Sequence, residues 1–185
     1  MFIRSNFCGH TVIHTRPSQN GFTLIEMIIT TTIVAILAGV AIPSFSTLIK
    51  DSRLTTSTND LKVDLALARS EASKRGFRVA VCASNTGTGC TATAWNLGRI
   101  VFVDRDGDGV VDGNDEILRV SSALPANNKI TASFTNTGYI QFRPSGLSDS
   151  TGNFALCDDR AGKFGRTIAI NSVGRANLTT KVTCP

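Results

Sequence analysis

The sequence predicts an α+β protein: a long N-terminal helix, partly transmembrane, packed on an antiparallel β-sheet domain. Three observations predict it. Phe22 to Ile42 carries one charge, Glu26, and is otherwise almost wholly apolar or threonine. After Pro43, the apolar residues Leu54, Leu61, Leu65, Ala68 and Ala72 recur at spacings of seven, four, three and four, which is one helical stripe. From Gly76 onward, short runs rich in Val, Ile, Phe and Thr alternate with Gly, Asn, Asp and Pro, the pattern of strands and turns.

The apolar run comes first in the chain. Its 21 residues make a helix of about 31 Å, matching a bilayer core of about 30 Å. Arg4 and Arg16 precede it, which predicts a cytoplasmic N-terminus and an outward C-terminus. A secretory signal would follow its apolar stretch with a small-residue cleavage site, and no convincing one follows here; instead Gly21 stands before the stretch. The helix is expected to run from Phe22 to about Arg75, with Gly76 after Lys74 and Arg75 as its terminator.

Candidate strands follow at Arg78–Ala83, Arg99–Val103, Glu116–Ser121, Lys129–Ser133, Tyr139–Arg143, Asn153–Cys157, Thr167–Asn171 and Arg175–Lys181. Short turns between several of them predict antiparallel hairpins, with Ser172-Val173-Gly174 at the tip of the last.

Of five cysteines, Cys8 precedes the apolar run and the other four follow it. With no C-x-x-C spacing, a zinc site is not indicated, and four cysteines allow three disulfide pairings. The expected pairs are Cys82–Cys90, by proximity, and Cys157–Cys184, which would tie down the C-terminus. Disulfides imply an oxidising compartment outside the cytoplasm. The net charge of +5 is unevenly spread. Asp104 to Glu116 has six acids and one Arg, a net of −5, whereas Lys129 to the end has seven basic and three acidic residues, a net of +4.

Glu26 is the odd residue, because a carboxylate within a membrane helix is expensive, on the order of 3 kcal/mol at mid-bilayer. One reading is that it snorkels to the headgroups. The other comes from its neighbours: Gly21-Phe22-Thr23-Leu24-Ile25-Glu26 resembles the class III signal of type IV prepilins. That resemblance implies cleavage by a prepilin peptidase between Gly21 and Phe22 and N-methylation of Phe22. It also implies that Glu26 pairs with the terminal amine of a neighbouring subunit, so that two charges costly in an apolar bundle neutralise each other at assembly. Pro43 matches the family's helix proline, where it can kink or locally melt the helix. The implied layout is a cleaved leader at 1–21, the transmembrane half of the helix at 22–42, its amphipathic soluble half at 43–76 and a periplasmic or extracellular β domain at 77–185. A leader of 21 residues is longer than usual for the type IVa branch, so either it is simply long or translation starts after Met1.

Later segments are similar to the FimT/GspH family of minor pilins and pseudopilins: Ala68-Arg69-Ser70-Glu71-Ala72, Ile100 to Asp104 running into an Asp/Gly loop, Glu116-Ile117-Leu118-Arg119, Phe142-Arg143-Pro144-Ser145-Gly146, and Gly165-Arg166 to Gly174-Arg175. The resemblance implies the pilin fold and a structural subunit of a type IV pilus acting in assembly or priming. The alternative is a pseudopilin H-like subunit of type II secretion. Implied partners are other pilins, minor pilins or pseudopilins, the prepilin peptidase and the bacterial inner membrane.

Catalysis is not indicated. Both histidines, His10 and His14, precede the implied cleavage point, which removes the commonest general base and transition-metal ligand from the processed chain. No cofactor is expected, with one open question. Asp104, Asp106, Asp108, Asp112 and Asp115 fall at positions 1, 3, 5, 9 and 12 of a loop with Gly109 at position 6, the spacing of an EF-hand calcium loop. Against calcium, position 12 is Asp rather than Glu, and strands rather than helices flank the loop. The alternative is a solvated turn. The basic residues Arg160, Lys163, Arg166, Arg175 and Lys181 are candidates for double-stranded DNA. Some FimT-type minor pilins bind DNA through a C-terminal Gly-Arg-x-Arg motif, of which Gly174-Arg175-Ala176-Asn177 keeps the first Arg and lacks the second. The alternative is an ordinary solvated face.

Overall fold

In a computed structural model, residues 21–125, 127–134 and 138–185 are described. The implied leader, with Cys8, His10 and His14, therefore lies outside the described residues except for Gly21. Two compact units meet between Pro43 and Ser44. The helix α1, Leu24–Arg75, contributes to both.

The first unit is the apolar part of α1. Its most hydrophobic 18-residue window has a mean hydropathy of 2.2, and none of that window is buried. Three threonines interrupt the apolar surface without leaving hydroxyls unpaired. Thr30 and Thr31 donate to the Met27 carbonyl at 3.1 and 2.8 Å, and Thr32 donates to the Ile28 carbonyl at 2.7 Å. Such back-bonding is what an apolar solvent demands of polar side chains. The helix is continuous through Pro43, although proline has no N–H for the carbonyl four residues earlier.

In the second unit the predicted stripe is the inner face of α1. Leu54, Leu61, Leu65, Ala68 and Ala72 are all buried. They pack on two four-stranded antiparallel sheets. The strands are β1 Arg78–Ala83, β2 Arg99–Asp104, β3 Glu116–Ser121, β4 Lys129–Phe134, β5 Tyr139–Phe142, β6 Gly152–Cys157, β7 Gly162–Ile170 and β8 Ala176–Cys184. One sheet has the order β3-β2-β1-β5 and the other β4-β6-β7-β8. A single core joins the stripe to Val79, Val81, Val101, Ile140 and Phe142 of the first sheet and to Ile130, Phe154, Leu156 and Ile168 of the second. Trp95, from a single 3-10 turn at Trp95–Leu97, meets Phe154 edge-on at 4.7 Å between centroids.

The first sheet is covered on both faces. Ala80, Cys82, Ile100 and Phe102 point away from α1; Ile117 and Tyr139 of the flanking strands lie beside them, and Val111 of the Asp-rich loop packs against them. That is why β2 is buried throughout. The Asp-rich loop, which carries Val111, thus lines the back of this sheet.

The strand positions match the sequence reading closely except in the last hairpin. β7 begins at Gly162 rather than Thr167, β8 runs to Cys184 rather than Lys181, and the two pair through two register shifts. Both disulfides form as expected, Cys82–Cys90 and Cys157–Cys184.

Candidate functional site

The N-terminal signal is built from a cap and an exposed carboxylate. Gly21, Phe22 and Thr23 precede the helix, and Phe22 is 79% exposed. Thr23 Oγ1 accepts the Glu26 backbone N–H at 3.2 Å, so Thr23 caps the helix and Glu26 occupies the third helical position. A carboxylate in the first turn also suits the positive end of the helix dipole. The Glu26 side chain is exposed and has no ion pair among the described residues.

Three family-like segments, far apart in sequence, meet at Arg69 on the exposed flank of α1. Its guanidinium donates to the Val173 carbonyl at 3.0 Å. Gly174, at the hairpin tip, has φ +71, and a Cβ there would lie 2.3 Å from the Gly146 carbonyl oxygen. Gly146 in turn lies against the Arg69 guanidinium. The helix segment, the Phe142–Gly146 turn and the Gly174 tip therefore form one junction. Gly165 answers a different constraint: a Cβ would fall 2.6 Å from Cys184 Sγ and 2.8 Å from the Val182 carbonyl. The Cys157–Cys184 disulfide needs that space.

The five basic candidates do not form one patch. Arg160 donates to Asp51 at 2.7 Å and to Asp158, and it stacks over Phe164 at 4.2 Å. These carboxylates hold its guanidinium firmly protonated. Burial alone would raise the Asp158 carboxyl, but the Arg160 side chain and backbone N–H outweigh it and hold it below its usual range. Arg166 donates to Thr55 Oγ1 at 2.6 Å. Arg160 and Arg166 thus fasten α1 to β7 and the turn before it. Lys163, Arg175 and Lys181 remain exposed. Lys163 and Lys181 belong to one end of the β7–β8 pair and Arg175 to the other, separated by about 20 Å at 3.3 Å per residue.

The Asp-rich loop divides likewise. Carboxylate oxygens of Asp104, Asp106 and Asp108 lie within 4.8 Å of one another. Asp104 is buried and accepts the Gly107 and Gly109 N–H groups at 2.7 and 2.9 Å, together with the Gln141 side-chain amide. Burial pushes its carboxyl above the usual range against these donors. Asp112 and Asp115 lie outside the cluster and close the loop instead. Asp112 accepts the Asn114 N–H at 3.1 Å, and Asp115 accepts those of Arg105 and Asp112 at 3.1 and 3.3 Å. The positions 9 and 12 that an EF-hand loop would turn toward its ion are here turn-forming residues.

Residues 57–174 match the family described as Type II transport protein GspH. The chain belongs to the GspH family. Residues 16–42 also match the prokaryotic N-terminal methylation motif, which spans the Gly21–Phe22 bond and Glu26. The fold is similar to two crystal structures of the type IV minor pilin FimU of Pseudomonas aeruginosa. The first is 20% identical, with a TM-score of 0.57, over 74% of this chain and 95% of that one. The second is also 20% identical, with a TM-score of 0.54, over 71% and 96%. No curated protein sequence matches the chain significantly.

A GspH-family chain with this pilin fold is a structural subunit, not an enzyme. Membership implies assembly with other pilin-type subunits in a fibre, and the methylation motif implies peptidase processing. Sequence reasoning missed the polar centre of this GspH-family domain. Asp64, on the inner face of α1, is fully buried and pairs with Arg99, itself 1% exposed. Arg119 reaches the same carboxylate at 2.9 Å, and the Ser121 hydroxyl donates to it at 3.0 Å. The available signal was a charge three residues from Leu61 on an otherwise apolar stripe.

Proposed function

We propose that the chain is a minor pilin of a type IV pilus, anchored in the bacterial inner membrane by residues 22–42 with its β domain in the periplasm. It is cut between Gly21 and Phe22, methylated on Phe22, and then moves into the fibre. The observation that carries this reading is an apolar helical segment with no buried residue in its most hydrophobic window, opened by Gly21-Phe22, whose one carboxylate has no partner among the described residues. In a bundle of such helices, Glu26 meets the terminal amine of a neighbour, and each charge removes the other's desolvation cost. Pro43 marks where this apolar half ends. Mass spectrometry of the processed protein tests the first step: the expected N-terminus is methylated Phe22, and any other start refutes it. Glu26→Ala tests the second, because a variant that enters fibres as readily as the parent refutes the pairing.

The family name favours the other setting, a pseudopilin of type II secretion. A deletion strain separates the two: loss of twitching with secretion intact supports the pilus, and the reverse supports the pseudopilus.

Display of double-stranded DNA is favoured by the exposure of Lys163, Arg175 and Lys181. With Arg160 and Arg166 held by the helix, at most three cations of the set face a phosphate backbone. The expected salt dependence is correspondingly shallow, a slope of about −0.9 per phosphate contacted. Gel shifts at low and moderate salt check this. Binding unchanged by Arg175→Ala and Lys181→Ala rules out this surface.

A further inference from the structure

Between Glu26 and Lys50, α1 carries no charge. The stretch to Ile42 matches the hydrocarbon core of a bilayer. The helix then stays uncharged through seven more residues, with Phe45, Leu48 and Ile49 exposed. Those seven residues rise about 10 Å, enough to cross a headgroup layer of about 5–8 Å. Charges thus resume where water begins. From Lys50 to Thr55 the helix rises only about 8 Å further, within one Debye length of the headgroups at physiological salt.

At the level of residues 50–55 lies one end of the β7–β8 pair. Lys50 meets Asp159, Asp51 meets Arg160, and Arg166 donates to Thr55 Oγ1. Lys163 falls between Arg160 and Arg166 in sequence. Lys181 falls opposite Gly165 and Arg166, in the bulge where the β7–β8 register shifts, and has a left-handed φ of 60. Within 50–55, 158–166 and 180–185, six basic side chains stand against three acidic ones, a net of +3. All three acids are engaged, Asp159 by Lys50, and Asp51 and Asp158 by Arg160. Arg53, Lys163 and Lys181 are exposed, and their side chains have no ion pair or hydrogen bond among the described residues. Phe164, beside Lys163, is 41% exposed.

The geometry points to this end of the domain as a phospholipid contact: Arg53, Lys163 and Lys181 take the phosphates of anionic headgroups, and Phe164 enters the interface. The tether selects the occupant. Seven uncharged residues keep these cations at a membrane surface for as long as the subunit is anchored, which raises the local lipid concentration far above that of a dissolved partner. Each cation near an anionic surface strengthens binding by about fivefold, and only within about a Debye length. Arg175, about 20 Å away at the other end of the pair, takes no part. Lys163 and Lys181 are therefore held by lipid, and closed to a duplex, until the subunit leaves the membrane.

This inference rests on the membrane anchoring proposed above, and the test separates the two. The full-length chain, with photo-crosslinking benzoylphenylalanine in place of Phe164, is reconstituted in nanodiscs of phosphatidylcholine alone or of an equal mixture with phosphatidylglycerol. Lipid adducts are expected in the mixed discs and should fall at least about fivefold in phosphatidylcholine alone. They should fall as far in mixed discs for Lys163→Ser/Lys181→Ser, with both disulfides formed and Trp95 fluorescence unchanged. The same photo-residue in place of Val173, at the hairpin tip, should give none. Equal yields in the two kinds of disc, or an unchanged yield in the double variant, would overturn headgroup recognition and leave the anchor standing. So would a duplex that binds through the same two lysines while the discs give no adduct. A chain that enters neither kind of disc would overturn the anchor as well.

Discussion

Replacing Asp64 by Ala should be the most damaging single substitution in the unit Ser44–Pro185 away from its disulfides. The carboxylate is fully buried and holds Arg99, which is 1% exposed, and it also takes Arg119 and the Ser121 hydroxyl. Removal leaves the Arg99 guanidinium charged, buried and without a counter-ion, a loss of about 3–5 kcal/mol. Against a total stability of about 5–15 kcal/mol, that is a large fraction. At about 3 °C per kcal/mol for a domain of this size, the melting temperature should fall by about 10–15 °C. Trp95 is the natural probe, as the only tryptophan in the chain and a buried one. Its fluorescence in the detergent-solubilised full-length protein reports the domain and not the apolar helix. Two further variants locate the cause. Arg119→Ala, at a side chain 39% exposed, should lose less than about 1 kcal/mol. Asp64→Leu/Arg99→Met replaces the pair by apolar groups and should recover most of the lost stability. A loss below about 1 kcal/mol for Asp64→Ala, or a double variant as unstable as the single, would refute the buried-charge explanation.

The two disulfides should differ in worth: by loop-closure entropy, the Cys157–Cys184 bridge, of separation 27, contributes about 3.5 kcal/mol. The Cys82–Cys90 bridge, of separation 8, contributes about 2.5 kcal/mol, so denaturant midpoints of paired Cys→Ser variants should rank in that order. Gly174→Ala should destabilise the domain by more than about 1 kcal/mol, since it combines a left-handed φ with backbone contact at 2.3 Å; a neutral result in urea unfolding would show that the tip moves freely away from Gly146. The depressed Asp158 carboxyl contributes stability that is complete above its unfolded value near 4 and is lost as pH falls below it. Asp158→Asn should therefore be less stable than the parent at pH 7 and should have a flatter acid limb between about pH 5 and 2, measured by the same Trp95 signal.

Local pattern carried most of the fold. The α1 stripe and the strand positions were legible because their periodicities differ and turn residues separate them. The start of β7 was not, because Gly162 and Gly165 read as punctuation; Gly165 is there to make room for the second disulfide, a constraint visible only when Cys157, Cys184 and Val182 are brought together. The split into two sheets was not legible either, since β1 pairs with β5 and β4 with β6 across intervening segments, and sequence spacing does not encode such partners. At the candidate sites, adjacency in sequence misled: Arg160 and Arg166 turn inward to α1 while Lys163 between them stays exposed. In the acidic loop the EF-hand spacing is present, but the hydrogen bonds of Asp112 and Asp115 are those of a turn. The N-terminal signal was legible because its chemistry is local, lying within six consecutive residues.

The links between α1 and the β6–β7 region have a mechanical meaning. Lys50 with Asp159, Asp51 with Arg160, and Thr55 with Arg166 are joined within six residues of α1. Cys157, two residues before Asp159, is bolted to Cys184 near the end of the chain. Tension carried along the stem of a subunit in a fibre would therefore reach a rivet, not a single hinge. The disulfide keeps the ends of β6 and β8 together behind these contacts, so the load is shared by strands that cannot separate from each other.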